Sequence, residues 1–258
     1  MPPIELSPQL VLLLFGTGFS AGFVDSIAGG GGLIALPVLL STGISPQMAL
    51  GTNKLQGSFG TLSATYNYIK KGEVKLNEAW TGALFTLVGA MTGAWAIQHM
   101  DAGFLNQIIP FLLVAVFLYT LFSRNLGTGA TRPKLPRNLF FLIFGLGLGF
   151  YDGFFGPGTG SFWTAAFIAV MGFTMTKAAG FTRIMNFVSN IVALAMFVIG
   201  DNVLYSVGLC MALGQVLGAR VGSNLAIQKG TSFIRPIFLT VVFLTIVRLV
   251  YVNYSSLI

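Results

Sequence analysis

Charge is what this sequence has least of. Only 8% of its 258 residues are Asp, Glu, Lys or Arg, about a third of the ~25% found in soluble domains. Hydrophobic residues make up 55%, and the mean hydropathy is +0.83. A cytosolic enzyme, a secreted module and a disordered segment are excluded, which leaves a polytopic membrane protein. Cysteine and histidine are nearly absent. The single Cys210 rules out an intrachain disulfide and a cysteine-cluster metal site. The single His99 rules out zinc motifs needing two histidines on one helix face. No metal or cofactor is expected. The segment Met1 to Pro8 has no basic residue, so no cleaved signal peptide is expected. A net charge of +7 in a soluble protein would suggest nucleic acid. In a membrane chain Lys and Arg are first topology signals, and no nucleic-acid partner is expected.

What is abundant is apolar bulk and small residues, with 24 Phe and 33 Gly, a pairing usual where helices pack closely in lipid. A spanning helix needs about 20 apolar residues. Ten apolar elements are predicted, over 9–28, 31–43, 48–69, 79–98, 104–123, 138–156, 160–173, 178–199, 203–227 and 233–254. Eight are long enough to span. The second and seventh would reach only about 20 Å, so they read as half-helices or as short spans completed by the glycine turns before them.

The chain repeats itself. Gly22-Phe23-Val24-Asp25 aligns with Gly149-Phe150-Tyr151-Asp152, and Gly29 and Gly31 with Gly156 and Gly158. Further on, Lys54 aligns with Arg183, Val74 with Val203, and Gly89 and Gly93 with Gly218 and Gly222. The predicted fold is all-α, with two transmembrane repeats of five elements, 1–123 and 138–258, and a linker at 124–137. With alternating elements, Lys70, Lys71, Lys75, Arg124, Arg132, Lys134, Arg137, Lys177, Lys229 and Arg235 fall on one side. The opposite loops, near 44–47, 99–103, 157–159 and 200–202, carry no Lys or Arg. The positive-inside rule makes the linker cytoplasmic and both termini external. The repeats then have inverted topology, a frequent mark of secondary transporters.

Six charges lie within apolar elements: Lys54, Arg183, Arg220, Arg248, Asp25 and Asp152. Each costs about 2.5–3.5 kcal/mol at a helix centre, so each needs a partner or a purpose. Arg220 and Arg248 lie near element ends and read as snorkelling. Lys54 and Arg183 are repeat-equivalent and sit among Asn53, Gln56, Asn186 and Asn190, so they can converge on one anion. The structural alternative pairs Lys54 with Asp25 and Arg183 with Asp152, and both readings stand. The two acids are also candidates for a coupling proton. A half-helix starting at Gly31 or Gly158 would point free N–H groups at its turn, an anion site that brings in Gly30, Gly31, Gly158 and Thr159. The same glycines lack the Lys-Ser/Thr ending of a nucleotide loop. His99 beside Asp101 reads as a solvated pair, with a proton relay as the alternative, and Cys210 as a small packing residue.

The run Gly22-Phe23-Val24-Asp25-Ser26-Ile27-Ala28-Gly29-Gly30-Gly31-Gly32 resembles the N-terminal signature of the sulfite exporter TauE/SafE family. Pro37, Gly43-Ile44-Ser45-Pro46 and Ala49-Leu50-Gly51-Thr52-Asn53-Lys54 continue the likeness, and Gly149 to Gly160 is similar to the family's second copy. The resemblance implies a bacterial or archaeal inner-membrane transporter, an exporter of small sulfur-containing anions such as sulfite, sulfoacetate or other organosulfonates. An anion channel with the same lining is the alternative. An intramembrane enzyme would need paired acids, a metal set or an activated nucleophile, which this composition barely supplies. The expected partners are a small anion, the lipid bilayer and a coupling proton or other ion, and a homodimer is left open.

Overall fold

The computed structural model describes residues 7–122 and 132–229, and among these there are α-helices and no strand. They are α1 Pro8–Ala28, α2 Gly32–Leu40, α3 Pro46–Lys70, α4 Trp80–Gln98, α5 Ala102–Phe122, α6 Arg137–Phe140, α7 Leu146–Phe154, α8 Thr159–Ala169, α9 Met175–Ile199 and α10 Tyr205–Lys229. One π-turn, Phe141–Gly145, joins α6 to α7 without leaving helical backbone, and a 3-10 turn, Leu76–Glu78, precedes α4. The tenth apolar stretch, most of the linker and both termini lie outside the described residues, as do Arg124, Arg235 and Arg248.

Capping fixes the helix starts. Ser7, Ser45 and Thr174 each accept a hydrogen bond from the backbone N–H three residues on, and Pro8 and Pro46 take first-turn positions where no N–H is needed. Caps explain why α3 and α9 begin two and three residues before their apolar patterns do. The two short elements are shorter than predicted. With nine and eleven residues, α2 and α8 reach about 14 and 17 Å, roughly half a ~30 Å hydrocarbon core.

Small residues set the helix directions. Gly18 meets Met211 and Gly22 meets Gln215, so α1 and α10 run parallel. Gly89 meets Leu146 and Gly93 meets Phe154, so α4 and α7 run parallel too. Thr52, Ser63 and Asn67 of α3 bond in order to Leu204, Val216 and Ser223, which aligns α3 with α10. Gly51 against Phe197 and Gly57 against Asn190 set α9 antiparallel to α3. Thus α1, α3 and α10 point one way, and α4, α7 and α9 the other.

Loops gather at two ends. At one end Gln47 Nε2 donates to Met100 O at 3.0 Å, and Asn202 Nδ2 to Gln98 Oε1 at 3.3 Å. At the other, Lys177 Nζ lies 3.4 Å from Glu78 Oε2, and Lys134 N donates to Val170 O at 2.8 Å. Among the described residues, the Lys and Arg of the loops belong to the second end. The loop 157–159 joins neither. It is buried mid-bundle, a correction to its reading as an outer loop, because α8 is too short to start at an end.

Among the described residues three helices are both long and apolar enough to cross a membrane: Pro8–Ile27, Trp80–Gln98 and Met175–Ile199. Of the other described long helices, α5 is apolar over the shorter stretch Ala102–Leu118, whereas α3 and α10 fall short in apolarity. In α3 the reason is visible, since Thr52, Asn53, Lys54, Gln56, Ser58 and Thr61 are buried against protein and need not suit lipid. The outward surface is apolar instead, with Leu12, Trp80, Phe111, Ile199 and Leu213 exposed.

Candidate functional site

Two glycine turns meet at mid-bundle. The first ends α1, where Gly29 N bonds Asp25 O at 3.0 Å and Gly29 and Gly30 take φ of +74° and +138°. The second ends α7, with Gly156 and Gly158 at +96° and +83°. Side chains rarely tolerate such backbone, so glycine is needed at these bends. The turns touch: a Cβ on Gly160 would stand 2.6 Å from Gly29 Cα, and Ser161 Oγ donates to Gly29 O at 2.7 Å. Each turn belongs to a different half of the chain.

The four interior charges form two ion pairs, and these cross between halves. Lys54 Nζ lies 2.6 Å from Asp152 Oδ1, and Arg183 Nη1 lies 2.9 Å from Asp25 Oδ2. The structural alternative, which paired Lys54 with Asp25 and Arg183 with Asp152, is therefore corrected in its partners. Interlocking of the turns brings each acid to the cation of the opposite half. Lys54 also donates to the Asp152 carbonyl, and Arg183 Nη1 to the Asp25 carbonyl. Asp25 Oδ1 accepts Gly30 N and Gly31 N at 3.1 and 3.2 Å. Asp152 Oδ2 accepts the Ser189 hydroxyl. Side-chain exposure is 2% and 4% for Lys54 and Asp152, but 0% and 15% for Arg183 and Asp25.

Between the turns lies a cavity of about 30 Å³, room for about two waters. Of the residues singled out from the sequence, Asp25, Gly30, Asn53, Lys54, Gln56, Asp152, Gly158, Thr159, Asn186 and Asn190 line it. Gly31 and Arg183 do not, and reach it through Asp25. Thr159 spends its hydroxyl on Gly156 O at 2.6 Å, and Gln56 Nε2 bonds Asn53 Oδ1 at 2.8 Å. Gly57 and Gln215 also line the cavity and were not foreseen. Gly57 sits a helical turn beyond Asn53, a spacing that would have found it. Nothing in the glycine-rich pattern of α10 marks Gln215.

Missing side chains keep this space open. A Cβ on Gly160 would stand 2.8 Å from Arg183 Nη2 and 3.0 Å from Asn186 Nδ2. One on Gly156 would stand 2.8 Å from Lys54 Nζ, and one on Gly57 3.3 Å from Asn190 Nδ2. Nitrogen donors thus crowd the glycine-made space. Arg183 Nε and Nη2 are buried without a hydrogen-bond partner. The chemistry on offer is anion recognition by ammonium, guanidinium, amide and backbone N–H groups, from a set of four charges that sums to zero.

The other polar residues stay apart. The His99 ring is tilted 38° against the Trp95 ring with centroids 4.5 Å apart, and its Nδ1 lies 2.8 Å from Trp95 O. Cys210 Sγ lies 3.6 Å from Val11 O, and Arg220 is exposed over the Tyr66 ring. Among the described residues no group of three His, Cys, Asp or Glu side chains gathers.

The sequence pattern of a family described as sulfite exporter TauE/SafE matches residues 14–249. A Haemophilus influenzae protein named probable membrane transporter protein is 42% identical over 248 residues, covering 96% of this chain and 97% of the relative. The probable membrane transporter protein YfcA of Escherichia coli K12 is 41% identical, covering 97% and 93%. The probable membrane transporter protein ORF9 of a Sinorhizobium species is 44% identical, covering 95% and 94%. No solved structure matches the chain. Apolar helices around a charged, glycine-turned interior and a family match over nearly the full length agree: the chain belongs to the sulfite exporter TauE/SafE family of membrane transporters.

Proposed function

We propose that this transporter is a secondary active exporter of a small sulfur-containing oxyanion, of the sulfite, sulfoacetate or organosulfonate class, in a bacterial or archaeal inner membrane. The observation that carries the reading is the donor-lined cavity at the meeting of two glycine turns, bridged by ion pairs that cross between halves. Lys54 and Arg183 supply charge, and Asn53, Gln56, Asn186 and Asn190 supply hydrogen bonds. Gly30, Gly31, Gly158 and Thr159 bring the half-helix starts, where backbone N–H groups favour anions. The opposed helix directions support inverted repeats of eight spans and two half-helices, and rocking of one repeat on the other would alternate access. The basic end faces the cytoplasm by the positive-inside rule.

Thermal melting of the detergent-purified protein tests this. Sulfite or a small sulfonate at 100 times its Kd stabilises the native state by about 2.7 kcal/mol, whereas acetate and phosphate at the same concentration do less. Lys54→Gln and Arg183→Gln lose that response. A family of anions that shifts none of the melting curves, or shifts the variants as much as the parent, sinks the assignment.

A further inference from the structure

Asp25 stands where an anionic ligand would stand. Its Oδ1 takes two backbone N–H groups at the start of α2, and its Oδ2 takes a guanidinium nitrogen at 2.9 Å. Two N–H donors at a helix start plus an arginine make an oxyanion receptor. The fit is incomplete. A carboxylate has two oxygens, and one is spent on the turn, so Arg183 Nε and Nη2 remain buried without an acceptor. Leaving such donors unmade is costly. Nη2 lies beside Gly160, which lines the cavity. An oxyanion with three oxygens could serve the turn and more of the guanidinium at once.

We infer that Asp25 is the internal occupant of the anion receptor: substrate displaces its carboxylate from Arg183 and the turn, and the freed carboxylate takes up one proton when a monovalent anion binds. This rests on the anion-transporter reading and names its coupling. The charge balance requires it. Lys54 and Arg183 against Asp25 and Asp152 sum to zero, and adding a monovalent anion leaves one uncompensated negative charge in a buried site. Such a charge is strongly unfavourable. A proton from the water phase bound to the Asp25 carboxylate restores zero, so the anion and the proton travel together and no net charge moves. Export then runs when the outward anion gradient exceeds the inward proton gradient.

Asp152 is not equivalent. It is more enclosed, accepts no turn N–H among the described residues, and takes the Ser189 hydroxyl instead. The groups facing Asp25 are Arg183 from α9, Lys54 from α3 and Asp152 from α7 at the shared cavity. The Tyr68 hydroxyl, from α3, bonds the carbonyl of the neighbouring Ser26. The segments α2 and α8 contain no titratable residue, and α10 presents Gln215 there.

The test uses methanesulfonate, which does not itself titrate near neutrality. Titrated into the purified wild-type protein in weak buffer with a pH indicator, it draws close to one proton per bound anion. Its affinity falls about tenfold for each unit that pH rises while Asp25 starts ionised. In proteoliposomes its flux carries no current. Asp25→Asn binds it without proton uptake and with no such slope. Binding without proton uptake, a transport current in the wild type, or a wild-type pH slope in Asp25→Asn overturns the inference alone. Failure of every sulfur oxyanion to bind overturns the transporter reading with it. The wild-type arms stand even if the variant does not fold.

Discussion

Asp25 and Asp152 hold equivalent places in the two halves of the chain, yet their surroundings differ in kind. Asp152 is shut in by an ammonium and a hydroxyl, with both partners on side chains and almost no exposure. Asp25 is held by a guanidinium and two backbone N–H groups, and keeps 15% of its side chain exposed. Both cations meet two oxygens of one acidic residue, but the ammonium of Lys54 is a compact charge. The guanidinium of Arg183 is a planar fork with unused donors, and such a fork suits ligands with several oxygens. Arg183 therefore keeps donor nitrogens without an acceptor, which an exchange of partners would need. The crossing makes both pairs bridges between halves, so either one also resists separation of the turns.

The largest expected effect breaks the closed pair. Lys54→Met leaves Asp152 buried with only Ser189 as a side-chain partner, which should cost about 3–5 kcal/mol of stability. Arg183→Met leaves Asp25 its two N–H bonds and some solvent, so the loss should be nearer 2 kcal/mol, the scale of one charged hydrogen bond. Adding Asp152→Asn to Lys54→Met should return most of the stability, since the uncompensated charge is gone. Denaturation of the purified variants reads all three. Equal losses for the two single variants would remove the distinction between the sites.

A smaller effect isolates the hydroxyl. Ser189→Ala removes a donor to Asp152 while Lys54 stays, and should cost about 1.5 kcal/mol, the low end for a hydrogen bond to a charged group. No matching substitution exists for Asp25, because its extra donors are backbone. If Ser189→Ala instead changes the proton uptake on anion binding, the proton belongs on Asp152 and the comparison inverts.

Much of the helical fold was legible because apolar stretches and glycine clusters report lengths and bends directly. The alignment of Lys54 with Arg183 and Asp25 with Asp152 singled out the interior charges. It could not say which acid meets which cation, since a two-fold relation permits pairing within a half or across halves equally. Only the contact of Gly29 with Gly160 decides that, and such a contact depends on packing between residues 131 positions apart. The same limit hid the turn at 157–159, whose depth follows from the shortness of α8. Gln215 was missed because neighbouring glycines explained α10 as a packing helix, while its side chain crowds Gly60 and lines the cavity.

The smallest expected effect sharpens where the anion sits. Gly57 is a turn along α3 from Lys54, and a Cβ there would stand 3.3 Å from Asn190 Nδ2. An amide at the end of a side chain can move aside by a few tenths of an ångström. Replacing a mid-helix glycine by alanine also contributes roughly 0.5–1 kcal/mol of helix stability. Gly57→Ala should therefore melt within a few degrees of the parent. If the anion replaces Asp25 on Arg183 and the α2 turn, the added methyl, whose nearest atoms are all those of Asn190, should lower sulfonate affinity only about threefold, ~0.7 kcal/mol. Calorimetry on the folded variant measures this. A loss of a hundredfold with unchanged melting would move the anion onto Lys54 and make the closed pair the exchanging one.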